Sequence, residues 1–340
     1  MSRLAIFAVT SMLALGLTLG ACGATPAQSI ELGLVSNADQ GLRAARIGAL
    51  GARFVRVEFR IDATPAQLAP VIARFARHGV SVLLLAGFHG RIPSLAEARN
   101  LASWAREFGP SGGFWRGRPH PELAIRAIEF GNETNLPGQF GGCGAGCPAY
   151  PQRARAYARA LAAAQEAIDG AGGNRGVGLL AIGDDGGAGS PEWVNGMFAA
   201  VPDLAGRIAG WTAHPYGPEW SESLDRLVAQ TRAQGAPATI PIFVTELGVA
   251  SDNGACLSND FGWNPCMTYA EAARSLKGTV VSMRARYGSR IKAIFVYQAF
   301  DQRLPLHDKD REHYLGALTA DGGAKGAYTE AIRALLRSSR

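Results

Sequence analysis

Two glutamates, Glu133 and Glu246, each stand at the end of a short aliphatic run, one after Gly131-Asn132 and the other after Val244-Thr245. Two carboxyls can share one reaction when their surroundings pull their pKa values apart, so that one has a proton to give while the other is an ionised base or nucleophile. Other acids compete for such a role. Glu129 lies four residues before Glu133, which along an extended strand is ~13 Å at ~3.3 Å per residue; that is too deep for a cleft, and an interior polar partner is expected. Glu58 is expected to pair with Arg56, while Asp184, Asp185 and Asp301 are candidate ligand contacts at the ends of further runs. Acids alone name no reaction, so what they do depends on the elements that gather them.

From Ile30 onward, short β-branched or aliphatic runs alternate with helical patterns, the mark of repeated βα units. The strands are expected at Ile30–Val35, Phe54–Phe59, Val80–Ala86, Ala127–Gly131, Val177–Ile182, Ile208–Ala213, Ile242–Thr245 and Ile291–Tyr297, with helices near 40–50, 65–77, 95–107, 152–169, 191–200, 222–234, 269–287 and 326–337. Thr64-x-x-Gln67, Ser94-x-x-Glu97 and Thr268-x-x-Glu271 read as capping boxes that start three of the helices. Eight such units with no linker between them predict an α/β chain folded as one (β/α)8 TIM barrel, over residues 30–338. A doubly wound open sheet would carry a glycine-rich phosphate fingerprint after its first strand, and Gly33-Leu34-Val35-Ser36-Asn37 is not one. In a barrel the outward face of each strand packs on helices, so polar residues of the other parity point inward or into the mouth at the C-terminal end. Alternation puts Arg56 and Glu58 on one face of the second strand, Thr212, His214 and Tyr216 on one face of the sixth, and Glu246 on the parity of Val244.

Other motifs carry less. Gly109-Pro110-Ser111-Gly112-Gly113 matches a serine-hydrolase string, but it follows a helix where a nucleophile elbow must turn from strand into helix. Gly183-Asp184-Asp185-Gly186-Gly187 lacks the lysine of a P-loop and the spacing of an EF-hand, and His307 with His313 reads as a solvated loop.

The 340 residues are 47% hydrophobic and 18% charged, enough for a large core and unlike a disordered chain or a coiled coil. Arginines make up most of the net charge of +6 and are scattered. The one basic-aromatic cluster, Trp115-Arg116-Gly117-Arg118, is too short for a nucleic-acid footprint, so no nucleic-acid partner is expected. Arg3, the apolar run Leu4–Leu19 and Leu19-Gly20-Ala21-Cys22 have the parts of a secretory leader, and the last four resemble a bacterial lipobox. Residues 1–21 are therefore expected to be removed, leaving Cys22 as a lipid-modified N-terminus, 22–29 as a short linker, and an envelope or secreted protein that meets the membrane only through that anchor. In an oxidising compartment the remaining cysteines fall into two close pairs, Cys143-Cys147 and Cys256-Cys266, each stapling one loop. Neither pair has a histidine at zinc-ligand spacing, and no metal or cofactor is expected.

Gly131-Asn132-Glu133 and Thr245-Glu246-Leu247-Gly248 resemble the strand 4 and strand 7 motifs of the clan A glycoside hydrolases. In those retaining barrel enzymes the acid/base follows an Asn on strand 4 and the nucleophile ends strand 7. Arg56, His89 and His214-Pro215-Tyr216 are similar to the substrate-site Arg, His and His-x-Tyr of the cellulase-like family 5. That family presents a Trp at the end of strand 8, whereas this chain reads Tyr297-Gln298-Ala299-Phe300-Asp301, so Tyr297, Gln298 or Phe300 would take its place and family 39 stays open.

The resemblance implies that Glu246 attacks the anomeric carbon, kept anionic by Arg56 and Tyr216, while Glu133 gives its proton to the leaving oxygen and Asn132 holds the sugar 2-hydroxyl. Strict alternation puts Asn132 opposite Glu133, so the strand must end or bulge there. Retention calls for carboxyls ~5–5.5 Å apart, against ~6.5–9.5 Å for inversion. Phe88, Trp115, Tyr216, Trp220, Trp263 and Phe300 lie at or after strand ends and are candidate platforms for the apolar faces of sugars. The expected partner is a β-linked oligo- or polysaccharide bound by a monomer. The rival readings are a carbohydrate- or partner-binding barrel without turnover and a transglycosylase on the same scaffold.

Overall fold

The computed structural model describes residues 30–38, 43–136, 149–171, 176–184, 189–257, 263–303 and 311–338. The leader, Cys22, Cys143-Cys147, Asp185 and His307 lie outside the described residues. Eight parallel strands close into a barrel in chain order: β1 Glu31–Ser36, β2 Phe54–Arg60, β3 Ser81–Gly87, β4 Ala127–Phe130, β5 Gly178–Ala181, β6 Gly210–Ala213, β7 Ile242–Leu247 and β8 Ile291–Val296. The barrel closes where Gly33 of β1 pairs with Phe295 of β8. Around it run α1 Ala44–Ala49, α2 Pro65–Ala76, α3 Leu95–Arg99, α4 Leu101–Phe108, α5 Tyr150–Gly170, α6 Pro191–Ala200, α7 Trp220–Ala233, α8 Tyr269–Tyr287 and α9 Ala327–Arg337. The chain is therefore a (β/α)8 barrel. One expected helix, 95–107, is two, meeting at Asn100, which ends α3 and caps α4.

Strand alternation divides the apolar residues into two cores. Val55, Val57, Ile242 and Val244 face outward and are buried under the helices, which close over them with apolar faces such as Leu68, Ile72 and Phe75 of α2. Val35, Leu83, Leu180, Ala293 and Phe295 fill the barrel interior, with Phe54, Ala127, Phe243 and Tyr297 against them. The three expected capping boxes form; Ser94 and Thr268 accept from the backbone of Glu97 and Glu271, and all three acidic or amide partners reach back to the cap. These caps start α2, α3 and α8, which follow β2, β3 and β7 in the chain.

Among the described residues, no helix is long and apolar enough to cross a membrane. Cys256 and Cys266 are disulfide-bonded, as their spacing led us to expect.

Candidate active site

Arg56 is the hub of the site. It points into the barrel from β2, level with Val35 of β1 and Leu83 of β3, and is 2% exposed. Its guanidinium donates to three acceptors: Nε to Glu129 Oε2 (2.5 Å), Nη1 to Glu246 Oε1 (2.7 Å) and Nη2 to Asn132 Oδ1 (2.7 Å). A planar fork with fixed donors suits three acceptors on three sides, which the single ammonium of a lysine does not. Burial works against the charge, but the charges on Glu129 and Glu246 outweigh it and raise the Arg56 pKa. Glu58, also expected as a partner, instead meets His89 Nε2 at 3.2 Å, yet stays near enough for the Arg56 charge to act on it; burial outweighs both cations and raises its pKa.

Glu133 and Glu246 both reach the interior through breaks in strand geometry. β4 stops at Phe130, whose carbonyl accepts from Tyr157 Oη (2.8 Å). Gly131 then takes φ +81° and Glu133 φ +46°, so Asn132 and Glu133 both turn to the site instead of alternating. The turn is tied to the end of β5 through Thr134, whose Oγ1 donates to the Gly183 carbonyl (2.9 Å). In β7 the register slips: Val244 pairs with Ile294 and Leu247 with Val296, three residues against two. This bulge rotates Glu246 off the outward parity of Val244 and into the barrel. Glu129, 1% exposed and bonded to Arg56, is the interior polar partner expected, although its carboxyl lies less far from Glu133 than an extended strand would put it. Because β4 ends and the chain turns at Gly131, Glu133 comes down onto the same His214 ring that lies 3.9 Å from Glu129 Oε1.

His214 sits between the acids, 3% exposed. Its Nδ1 is 2.9 Å from Glu133 Oε1 and 3.8 Å from Glu246 Oε2, and its Nε2 is 3.1 Å from Thr245 Oγ1. Burial alone would lower its pKa, but the charge of Glu246 and the contacts with Glu129 and Glu133 raise it to about 10. Burial pushes Glu133 up, and the hydrogen bond and charge of His214 outweigh it, holding that carboxyl below its usual range. Glu133 and His214 thus hold one proton between them and titrate as a pair. Tyr216 Oη donates to Glu246 Oε2 (2.8 Å), so both oxygens of Glu246 accept hydrogen bonds, one from Arg56 and one from Tyr216. Ligand atoms of Glu133, His214 and Glu246 all lie within 4.8 Å of one another. That spacing would admit a metal ion, but the imidazole would first have to lose a proton that the surrounding carboxylates stabilise.

The remaining expected contacts fall into three groups. Arg56, Asn132, His214 and Tyr216 converge on the two glutamates, and half-buried Tyr297 stands close enough that the charge of Glu246, after burial, helps raise its pKa. His89, Trp220 and Trp263 lie at the rim. His89 takes φ +47° and lines a cavity of about 600 Å³ with Glu58, Arg60, Asp62 and Gln67. Trp220 and Trp263 line another of about 320 Å³. Phe300, Gln298 and Trp115 are buried. Phe300 is capped by the Arg43 guanidinium at 4.7 Å, and the Trp115 indole donates to the Phe108 carbonyl, so neither offers a ring face to a cleft. Phe88 packs edge-on against Phe130 at 4.9 Å.

Two of the candidate aspartates, Asp184 and Asp301, are engaged in the fold. Asp184 accepts from the Ser190 backbone at the start of α6, and Asp301 pairs with fully buried Lys325 (2.9 Å). Thr245, which holds the far side of His214, was not singled out in the sequence, although it adjoins Glu246. A cavity of about 520 Å³ at the opposite, N-terminal mouth, among Glu31, Phe54, Arg126 and Lys292, holds none of these acids and bases.

No protein-family model matches this sequence, and no curated protein does. Solved structures do match. GH5_18 from Bifidobacterium longum subsp. longum ATCC 55813 superposes with a TM-score of 0.59 at 13% identity, over 91% of this chain and 79% of that one. The endo-β-1,4-glucanase Xac0029 from Xanthomonas axonopodis pv. citri gives 0.56 at 14% identity, over 92% of this chain and all (100%) of that one. A calcium-binding mutant of Bacteroides uniformis β-glucuronidase 2 gives 0.58 at 13% identity; it matches 89% of this chain, which spans only 34% of that enzyme. At such identities the likeness is one of fold, an eight-stranded barrel shared with these glycosidases.

Proposed function

We propose that this chain is a retaining glycoside hydrolase of clan A, acting on a β-linked oligo- or polysaccharide. The observation that carries the reading is the pairing of Glu133 with Glu246, which bring one oxygen each to within 4.8 Å, in keeping with the ~5–5.5 Å carboxyl spacing of retaining enzymes. The fold shared with glycosidases of β-linked substrates, among them the β-1,4-glucanase, supports it.

In this mechanism Glu246 attacks the anomeric carbon as the bond to the leaving oxygen breaks, giving a covalent glycosyl-enzyme. Arg56 and Tyr216 aim its two oxygens. Glu133 passes a proton to the leaving oxygen, drawn from the proton it shares with His214. Moving that proton from Nδ1 to the carboxyl neutralises both partners and leaves the net charge of the buried cluster unchanged. When Glu246 is esterified, the anionic charge that favours the imidazolium falls, and Glu133 then takes a proton from the water that releases the sugar. Asn132, oriented by Arg56, is placed to meet the sugar 2-hydroxyl beside Glu246.

The leader-like N-terminus and the Cys256-Cys266 disulfide support export, with Cys22 as lipid anchor and Cys143-Cys147 as a second staple. The test is product analysis on a panel of β-glycans and aryl β-glycosides with anomeric NMR. The first product should keep its configuration, Glu246→Gln should abolish turnover, and Glu133→Ala should lose ~10²–10⁴-fold, least with good leaving groups. An inverted first product, or full activity in Glu246→Gln, would overturn the reading.

A further inference from the structure

Tyr216 is one of two groups that fix the proposed nucleophile, yet it follows β6 beyond the last ladder pair, Ala213 with Val244. Its ring is held from another loop. The Trp263 indole lies against it with centroids 5.2 Å apart and planes inclined by 38°. We propose that Trp263 is a positioning residue that holds the Tyr216 hydroxyl on Glu246, and that the Cys256-Cys266 disulfide and the Asn264 clamp hold Trp263 in place. The proposal rests on the assignment of Glu246 as nucleophile.

Three features fix the indole. Asn264, 1% exposed, receives the Ala250 N–H at its Oδ1 (2.7 Å) and donates from Nδ2 to the Ala250 carbonyl (3.1 Å), fastening the residue after Trp263 to the chain just past β7. Two residues further on, Cys266 is bonded to Cys256, whose own segment is held where Asp252 accepts from the Cys256 and Leu257 backbones. On the other side stands Gly217, with φ +77°; a Cβ there would lie 2.7 Å from the Trp263 Cβ, so glycine is what lets the indole come this close to Tyr216. The loop that carries Trp263 thus begins at the nucleophile strand and returns to brace the nucleophile's hydrogen-bond donor. A rigid aromatic contact suits this task, because the phenol must keep both distance and angle to a carboxylate oxygen. Reduction of the disulfide would loosen the brace without touching either glutamate.

A sugar platform and a brace make different demands on Trp263. Loss of a platform weakens substrate binding and raises KM, whereas loss of a brace acts in the transition state and lowers kcat. The experiment combines a crystal structure with a double-mutant cycle. In the structures of Trp263→Ala and Cys256→Ser/Cys266→Ser the Tyr216 hydroxyl should lie beyond 3.5 Å from Glu246, and in Trp263→Phe it should stay bonded; an unchanged 2.8 Å contact in Trp263→Ala overturns the proposal. This arm needs no substrate, so an inactive wild type would sink the glycosidase reading while the coordinates still decide the brace. In kinetics on an aryl β-glycoside that wild type cleaves, Trp263→Ala and Tyr216→Phe should each lower kcat about tenfold or more, the scale of one hydrogen bond to a charged group, with KM nearly unchanged. Trp263→Phe should recover most of the loss, and Trp263→Ala added to Tyr216→Phe should cost nothing further. Additive losses, or a loss confined to KM, would show that Trp263 acts on its own. Melting curves of each variant confirm that it is folded, and dithiothreitol treatment of wild type gives the reduced loop without substitution.

Discussion

At Arg56, one side chain serves two buried carboxylates and a half-buried amide. Of the two partners expected for Arg56, Glu246 is bonded to it and Glu58 is not. Glu58 is nearer in the chain, but two residues along a curved, tilted strand it has reached the rim, where His89 meets it. Pairing by sequence distance fails in a barrel because interior residues from different strands are closer than same-face neighbours on one strand. Arg56→Lys is expected to keep the charge and lose the fork: about 1.5–3 kcal/mol of stability for each charge-assisted hydrogen bond not remade, with kcat/KM down at least about tenfold as Glu246 loses its aim. Denaturant unfolding and aryl-glycoside kinetics check the two effects separately. An Arg56→Lys protein with wild-type stability and rate would mean that point charge alone is what the site needs.

At the scale of elements, the eight strands were legible because β-branched and aliphatic runs must be buried on both sides in a parallel barrel. Their last residues were not, because two irregularities set the aim of both glutamates and neither follows from alternation. The β7 bulge exists only in relation to its pairing with β8, and a single strand's sequence carries no record of register. The β4 turn left a trace in Gly131. At φ +81° a side chain is strained, and a Cβ there would meet Phe88 and the Thr134 methyl at 2.7 Å each. Gly131→Ala should therefore destabilise by about 1–2 kcal/mol from backbone conformation, with a further ~1–3 kcal/mol if Phe88 cannot move. It should also depress activity most on poor leaving groups if the residue displaced, Glu133 two positions on, is the proposed proton donor. A variant that loses stability while keeping wild-type rates on every leaving group would separate the turn from the aim of Glu133.

For the molecule as a whole, the barrel was legible while its buried charges were not. Lys325 is fully enclosed, donating to Asp301 and the Tyr314 carbonyl near the rings of Tyr269 and Tyr328, yet nothing in its local sequence marks it as interior. Such pairs form only when segments distant in the chain close over one another. The central cluster has the same origin and makes two opposite contributions to how stability varies with pH. His214 goes from 6.5 to about 10 on folding: burial opposes its charge, but Glu246, Glu129 and Glu133 more than offset that. A base whose folded pKa lies above its unfolded one adds stability that is complete below the unfolded value and lost as pH rises toward the folded one. The His214 contribution is therefore whole below pH 6.5 and disappears by about pH 10. Glu129 behaves in the opposite sense. Burial raises it, Arg56 and His214 bring it from 4.5 down to about 2, and its contribution is whole above 4.5 and lost as the pH falls toward 2. The two limbs leave a plateau between pH 4.5 and 6.5. Tm by calorimetry should decline between pH 6.5 and 10, and His214→Gln, although less stable throughout, should flatten that alkaline decline. Should the variant fall between pH 6.5 and 10 as steeply as wild type, the proton shared by His214 and Glu133 is not what the alkaline limb reports.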